Sequence, residues 1–266
     1  MRADRFRRPE GHPSSDGYRP GHVIWFVPGG TWLNADKTRP FALATSCIPG
    51  GRGTLVYGST QSAELKSGAV CIEVAPRQSG VNRNGLWRST YFYPGVLVRT
   101  AHAALPGSAG QLGKSLDELR RALRVALGIG QGSCASSTAP VRSRRGRIVE
   151  LNPGLAEDLR TKFGVLLTEH GYSRAKHYHV LLPIHSGEDK QTDDRVLQIR
   201  SKPWIAVFSP SAHVALVPVS TTQSVWYTDD IARETEYVLD DESLRQIDAR
   251  LCEYFSLPPL DAERPR

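Results

Sequence analysis

The apolar residues of this chain come in short clusters broken by glycine, proline and polar residues, a pattern of strands rather than of long helices. His22-Val23-Ile24-Trp25-Phe26-Val27 ends at Pro28-Gly29-Gly30, which predicts a strand and then a polar loop over 28–38. Phe41 to Cys47, Thr54 to Tyr57, Ala69 to Val74 and Gly95 to Thr100 read as further strands. At Ser115 the period changes. Leu116, Leu119, Ala122, Leu123, Ala126 and Leu127 keep helical spacing, Ser115 and Glu118 match a capping box, and Gly128 and Gly130 supply the stop.

The second half repeats that order. Pro153 to Glu169 predicts an amphipathic helix, with Asn152 as N-cap and Gly171 beyond its end. Tyr178 to Ile184, Arg195 to Ile199, Trp204 to Phe208 and His213 to Val217 predict strands. Glu242 to Phe255 predicts a closing helix whose apolar face is Leu244, Ile247, Leu251 and Tyr254 or Phe255. Strands first and a helix last, twice, predict an α+β, β-rich chain of two small antiparallel barrels, each packed by its C-terminal helix.

The spelling repeats as well. Arg39-Pro40-Phe41-Ala42-Leu43-Ala44-Thr45-Ser46 leads to Gly58-Ser59-Thr60-Gln61-Ser62. Lys202-Pro203-Trp204-Ile205-Ala206-Val207-Phe208-Ser209 leads to Val219-Ser220-Thr221-Thr222-Gln223-Ser224. A cation–Pro pair, an apolar run and a hydroxyl–Gln–Ser cluster recur in the same order, so the chain reads as two versions of one fold. The expected division is a mobile basic arm over 1–20, a first copy over 21–132, a linker over 133–152, and a second copy over 153–266 that begins with a helix.

Charge separates the copies. Residues 23–132 carry 12 Lys/Arg against 5 Asp/Glu, residues 133–176 carry 8 against 4, and residues 177–266 carry 9 against 15, within a net charge of +7. A basic first copy suits a polyanion such as nucleic acid, and an acidic second copy does not. No apolar run reaches the ~20 residues of a membrane span. Met1 to Pro9 is basic without an apolar core, unlike a secretory signal. Cys47, Cys71, Cys134 and Cys252 form no C-x-x-C pair and are too few for a disulfide framework. A soluble cytoplasmic protein with reduced thiols is expected.

Gly21-His22-Val23-Ile24-Trp25, Arg39-Pro40 and Ser59-Thr60-Gln61-Ser62, followed by a terminal helix, resemble the MazF/PemK toxins, bacterial ribonucleases of toxin–antitoxin systems. Pro218 to Ser224 resembles the second of the family's elements, and Arg99-Thr100 a later Arg-Thr pair. The resemblance implies SH3-like barrels, here as an intramolecular pseudo-dimer. It implies cleavage of single-stranded RNA without a metal or other cofactor, by attack of a ribose 2′-OH on the neighbouring phosphorus, leaving a cyclic phosphate and a 5′-OH. In that chemistry Arg39 would clamp charge on the phosphoryl oxygens, since a guanidinium stays charged and bonds two oxygens at once. Thr60 with Ser59 would be the hydroxyl partner, and Gln61 would hold a base edge or backbone oxygen. Arg77, Arg83, Arg88 and Arg99, with Trp87 and Tyr91, supply charge and stacking surfaces for a single strand.

The second copy has Lys202 where the family has Arg, with Ser220, Thr221 and Gln223 as its hydroxyl–Gln cluster, among Asp189, Asp193, Asp194, Asp229 and Asp230. It reads as a degenerate partner of one working site. The family resemblance also implies an antitoxin protein as a partner. Two other readings stay open: a non-catalytic toxin of the same fold that binds a protein such as DNA gyrase, and a nucleic-acid-binding module with a dead site. His177 and His179 put two imidazoles on one strand face, with His185 six residues on, which suggests zinc only weakly because no cysteine lies close and no third ligand is obvious.

Overall fold

The computed structural model describes residues 15–27, 38–60, 70–77, 83–130, 145–173, 176–185, 196–200, 204, 208, 212–224 and 231–258, with the backbone alone at 158, 169–173, 176–178 and 219–224. The chain is a strand-rich α+β protein in two compact units, the first ending at Leu123 and the second continuing from Arg124. Each unit is built on one antiparallel sheet.

The first sheet contains β1 (His22–Phe26), β2 (Arg39–Leu43), β3 (Arg52–Ser59), β4 (Ile72–Val74), β5 (Thr90–Ala101) and β6 (Gly110–Gln111), in the order β4-β5-β3-β2-β1-β6. β3 is central and buried from Gly53 to Ser59, so both of its faces are covered. On one face Phe26, Phe41, Tyr57 and Tyr93 form a ladder with successive ring centroids 4.5, 5.7 and 6.2 Å apart. β5 is longer than its apolar run suggests, because a bulge at Pro94–Val96 lets it pass from Tyr57↔Tyr93 to Val56↔Leu97. Helix α1 (Ser115–Ala126) follows the sheet and buries Leu119, Ala122, Leu123 and Ala126, as its spacing predicts.

The expected mobile arm over 1–20 needs correction at its end. Tyr18 is buried, bonds Cys47 through both backbone groups at 2.8 and 2.9 Å, and donates its hydroxyl to the Pro106 carbonyl at 3.0 Å. An aromatic ring can seat a polar segment that composition alone assigns to solvent.

The second sheet contains β7 (Arg147–Leu151), β8 (Phe163–Ser173), β9 (Lys176–His185), β10 (Val196–Leu197), β11 (His213–Ala215), β12 (Val219–Ser224) and β13 (Ile231–Val238). The order is β10-β11-β9-β8-β7-β13, with β12 also on β9. Helix α2 (Pro153–Leu159) lies between β7 and β8 in sequence, and helix α3 (Asp241–Phe255) closes the unit with Leu244, Ile247, Leu251 and Phe255 buried.

Three expectations fail in this unit. The helix predicted over 153–169 stops at Leu159, where Arg160 turns left-handed at φ 52°, and Phe163 onward is strand. Val165, Leu166 and Leu167 are all buried, so the run is a strand covered on both faces, and its match to helical spacing is fortuitous. Trp204 is in a helical turn, with the Phe208 amide on its carbonyl at 2.9 Å, instead of in a strand. The linker assigned to 133–152 includes β7, a strand paired on both sides.

With β7 recognised, the sheet orders coincide. β1, β2, β3, β4 and β6 correspond to β7, β8, β9, β10 and β13. β5 corresponds to β11 and β12 together, broken at Leu216–Pro218 where β5 bulges. Backbone detail repeats too. Gly21 donates to the Leu43 carbonyl at 2.7 Å and accepts from the Leu112 amide at 2.8 Å. Gly146 donates to Leu166 at 2.7 Å and accepts from Leu239 at 2.9 Å. Both glycines have positive φ, 88° and 83°, and both sit under the first leucine of the closing helix, Leu116 and Leu244.

The repeat is therefore real, but it is not the one that the spelling marks. Arg39–Ser59 corresponds to 162–185. Ser220, Thr221 and Gln223 lie on β12, opposite Val180, His179 and His177, where the first unit has the far half of β5. Their assignment as counterparts of Ser59, Thr60 and Gln61 is corrected. A hydroxyl-rich strand can be spelled alike at many places, whereas hydrogen-bond register is specific.

Candidate functional site

The C-terminal ends of β1 and β3 and the N-terminal ends of β2 and β5 meet at one end of the first sheet, beside β4. Register sets one row there. Phe26 pairs with Arg39, Ser59 with Tyr91, and Tyr91 with Glu73. Continuing Phe41↔Tyr57 by two positions sets Arg39 beside Ser59. The close approach of Gly58 to Pro40, whose carbonyl would lie 2.8 Å from an added Cβ, agrees with that step. Directly paired residues share a face, so Arg39, Ser59, Tyr91 and Glu73 line up across four strands.

Arg39 is half-buried, and its Nε–H has no acceptor among the described residues. Ser59 is wholly buried, whereas Thr60, just past the strand, is partly open. Of the two predicted hydroxyls, solvent reaches Thr60. Tyr91 donates its hydroxyl to the Glu73 carboxylate; burial first, then the charge and hydrogen bond of Glu73, push its phenol above the ordinary value. Cys71 is pushed up by burial and by Glu73. The Tyr91–Glu73 pair was not foreseen. Nothing local in the sequence marks it, because the two residues meet only through the β4–β5 register.

The chain entering β5 carries the basic aromatic segment. The Arg88 guanidinium stacks on Trp87, 4.2 Å from the ring centroid, and is exposed. This segment is held by a residue that sequence reading passed over. Asn84 is fully buried; its Nδ2 donates to the Ala75 carbonyl at 2.8 Å, and its Oδ1 accepts from the amides of Arg77 at 3.0 Å and Leu86 at 3.2 Å. The dipeptide Asn84-Gly85 is a turn signal that could have found it. Trp25, from the Gly-x-x-x-Trp element, donates its indole N–H to the Gly85 carbonyl at 3.1 Å. Gly110 lets the same segment close on β6, since a Cβ there would lie 2.2 Å from the Arg83 carbonyl.

The remaining predicted residues are elsewhere. Arg83 accepts from the Gln111 amide beside β6, and the Arg77 guanidinium lies near Gly113, ahead of α1. Arg99 is exposed opposite Thr54, five positions along β3 from Ser59, or about 17 Å at strand rise. Gln61 and Lys202 lie outside the described residues. His185 is six positions along β9 from His179, on the order of 20 Å. Among the described residues no group of three or more His, Cys, Asp or Glu is placed to hold a metal ion. No helix among them is long and apolar enough to cross a membrane. No protein-family model and no curated protein sequence matches the chain.

The row and its flank combine a fixed positive charge, the accessible Thr60 hydroxyl one position past Ser59, a phenol held in its protonated form and a carboxylate. Those are the elements needed to bind a phosphate group and move protons at it.

Proposed function

We propose that the first unit is a metal-independent endoribonuclease acting on single-stranded RNA, in the manner of the MazF/PemK toxins that its motifs resemble, with an SH3-like barrel as its fold. One observation carries the reading: register puts Arg39, Ser59, Tyr91 and Glu73 in one row at an end of the sheet, with Thr60 one position past Ser59 and Trp87–Arg88 leading into β5. Arg39 and Tyr91 are two strand spacings apart, about 10 Å, a gap their long side chains can close on one phosphate. Arg39 binds the phosphoryl oxygens and the charge that builds on them. Glu73 takes the proton of the 2′-OH as that oxygen attacks phosphorus. The P–O5′ bond breaks, and Tyr91 gives its proton to the departing 5′ oxygen. Thr60 orients the phosphate, while Trp87 and Arg88 hold a base and the strand. The burial of Ser59 leaves it a supporting position within the row.

The test is incubation of the full chain with a long single-stranded RNA in excess chelator. Discrete fragments with 5′-OH ends and cyclic phosphates are expected. Intact RNA that is nonetheless bound would replace the enzyme with a binding module. Intact RNA without binding would point to a protein target.

A further inference from the structure

The topological equivalence assigns a second row, at the matching end of the second sheet. Leu151 donates its backbone N–H to the Lys162 carbonyl at 2.8 Å, Phe163 pairs with Ile184, and His213 pairs with His185. One further step of register sets Lys162 beside His185, and one step beyond Leu197↔Val214 sets Gln198 beside His213. Position for position, Arg39, Ser59, Tyr91 and Glu73 of the first unit become Lys162, His185, His213 and Gln198. The row that sequence spelling placed at Lys202 and Ser220 is thus occupied by a cation and two imidazoles from other parts of the chain.

The geometry suits a phosphate group. Lys162 is exposed at the head of β8, and both histidines are partly open. The imidazole rings lie 5.9 Å apart, centre to centre, tilted by 31°. Rings so placed can each turn a nitrogen toward a different oxygen of one phosphate set beside them. The charged groups on neighbouring elements, among the described side chains, are Glu157 of α2, Arg160 at its end and Arg200 beyond β10, all exposed. Glu150 of β7 is engaged instead by Arg233, at 2.9 Å. Among these described groups cations outnumber acids; Glu188, Asp189, Asp193 and Asp194, which follow His185 in the chain, lie outside the described residues.

We infer that the second unit is not a degenerate partner but carries its own phosphodiester site, in which Lys162 binds the phosphate and His185 and His213 act as an acid–base pair. This rests on RNA being the substrate. The neutral imidazole takes the proton of the 2′-OH, the new bond from O2′ to phosphorus forms, and the P–O5′ bond breaks. The protonated imidazole gives its proton to O5′, and solvent restores the two protonation states. Imidazoles suit both roles because their ordinary pKa lies near neutrality.

The experiment uses the full chain and a labelled single-stranded RNA in chelator. Rates are measured from about pH 5 to pH 8 for the wild type, Arg39→Ala, and Arg39→Ala combined with His185→Gln or His213→Gln. Residual cleavage in Arg39→Ala, with a bell-shaped pH profile, is expected to fall at least ~100-fold in either combined variant. Unchanged melting of the combined variants excludes a folding defect. Separately, the imidazole proton resonances of both histidines should shift on titration with a nucleoside 3′-monophosphate, a readout that needs no turnover. If Arg39→Ala removes all cleavage, the second site is overturned while the first stands. If Arg39→Ala matches the wild type and the histidine variants are inert, the first site falls and the second stands. Residual cleavage indifferent to both histidines, or resonances that do not move, overturns the inference. An inert wild type overturns both.

Discussion

Replacing Asn84 by alanine would remove the side chain that ties together the segment before β5. Three hydrogen bonds are lost: one donated to the Ala75 carbonyl and two accepted from the amides of Arg77 and Leu86. Their consequences differ. Ala75 and Arg77 are exposed, so water can replace the lost partner, and each bond is worth about 1 kcal/mol net. Leu86 is buried, so its N–H loses its acceptor where water is scarce, at a cost of about 1–3 kcal/mol. The total is about 3–5 kcal/mol. Asn84→Asp keeps both accepted bonds but buries a carboxylate against the Ala75 carbonyl, so at neutral pH it should cost more than the ~1 kcal/mol of the lost donor bond, and less as pH falls. Guanidinium unfolding measures both. Hydrogen exchange at the Gln111 amide, which donates to the Arg83 carbonyl at 2.9 Å, reports the segment locally. Exchange there should quicken in Asn84→Ala, and RNA affinity should weaken because Trp87 and Arg88 follow in the same segment. A loss below about 1 kcal/mol with unchanged exchange would refute the assignment of Asn84 as the tie.

Three further outcomes follow from the same structure. Ser256 ends α3 with φ 52°, the position that Gly128 fills after α1 at φ 63°, so Ser256→Gly should stabilise by about 0.5–1 kcal/mol in denaturant unfolding. Asp248 is buried against Arg145 and also accepts from the Gly130 amide at 2.9 Å, so Asp248→Asn should cost about 3–5 kcal/mol. Arg145→Met added to Asp248→Leu should recover part of that, since the Arg145 charge leaves with its partner while the buried Arg124 and the Gly130 amide still lose Asp248. The His22 imidazole is held below its ordinary range by burial and then by Arg19, so the folded state binds its proton less readily than the unfolded chain does. Its stabilising contribution is complete above the ordinary imidazole range and is lost as pH falls from there through the lowered value. Unfolding curves should show that loss, and His22→Gln should flatten it.

Much of the secondary structure was legible, and for local reasons. β1, α1 and α3 stand within a residue or so of where the apolar run and the helical spacing put them, because each signal lies within one turn or one strand, although Ser115 is the first residue of α1 instead of its cap. The failures share a cause. Phe163 to Thr168 and Trp204 to Phe208 are apolar runs whose spacing cannot separate a buried strand from a helix, and tertiary burial decided each the other way. The repeat was visible, yet its register was misread, because a spelling match between Arg39-Pro40 and Lys202-Pro203 outweighed a strand hidden in an apparent linker. The Arg147-Ile148-Val149-Glu150-Leu151 strand then fixes every equivalence in the second unit. At the candidate site, Arg39 and Thr60 came from motif order. The Tyr91–Glu73 and His185–His213 pairings came only from register, which joins residues far apart in sequence.

The central claim is that RNA is cut at the strand ends holding Arg39, and the sheet supplies an internal control. Arg99 is also cationic and exposed, but it lies about 17 Å along the strands. The direct measurement is the rate of formation of 5′-OH ends from one single-stranded RNA, in chelator, by Arg39→Ala and Arg99→Ala side by side, all in a His185→Gln chain so that the second unit does not contribute. The account predicts a fall of about 100–1,000-fold for Arg39→Ala and a rate near that of the His185→Gln parent for Arg99→Ala. Equal rates for Arg39→Ala and that parent, or a greater loss in Arg99→Ala, would contradict it.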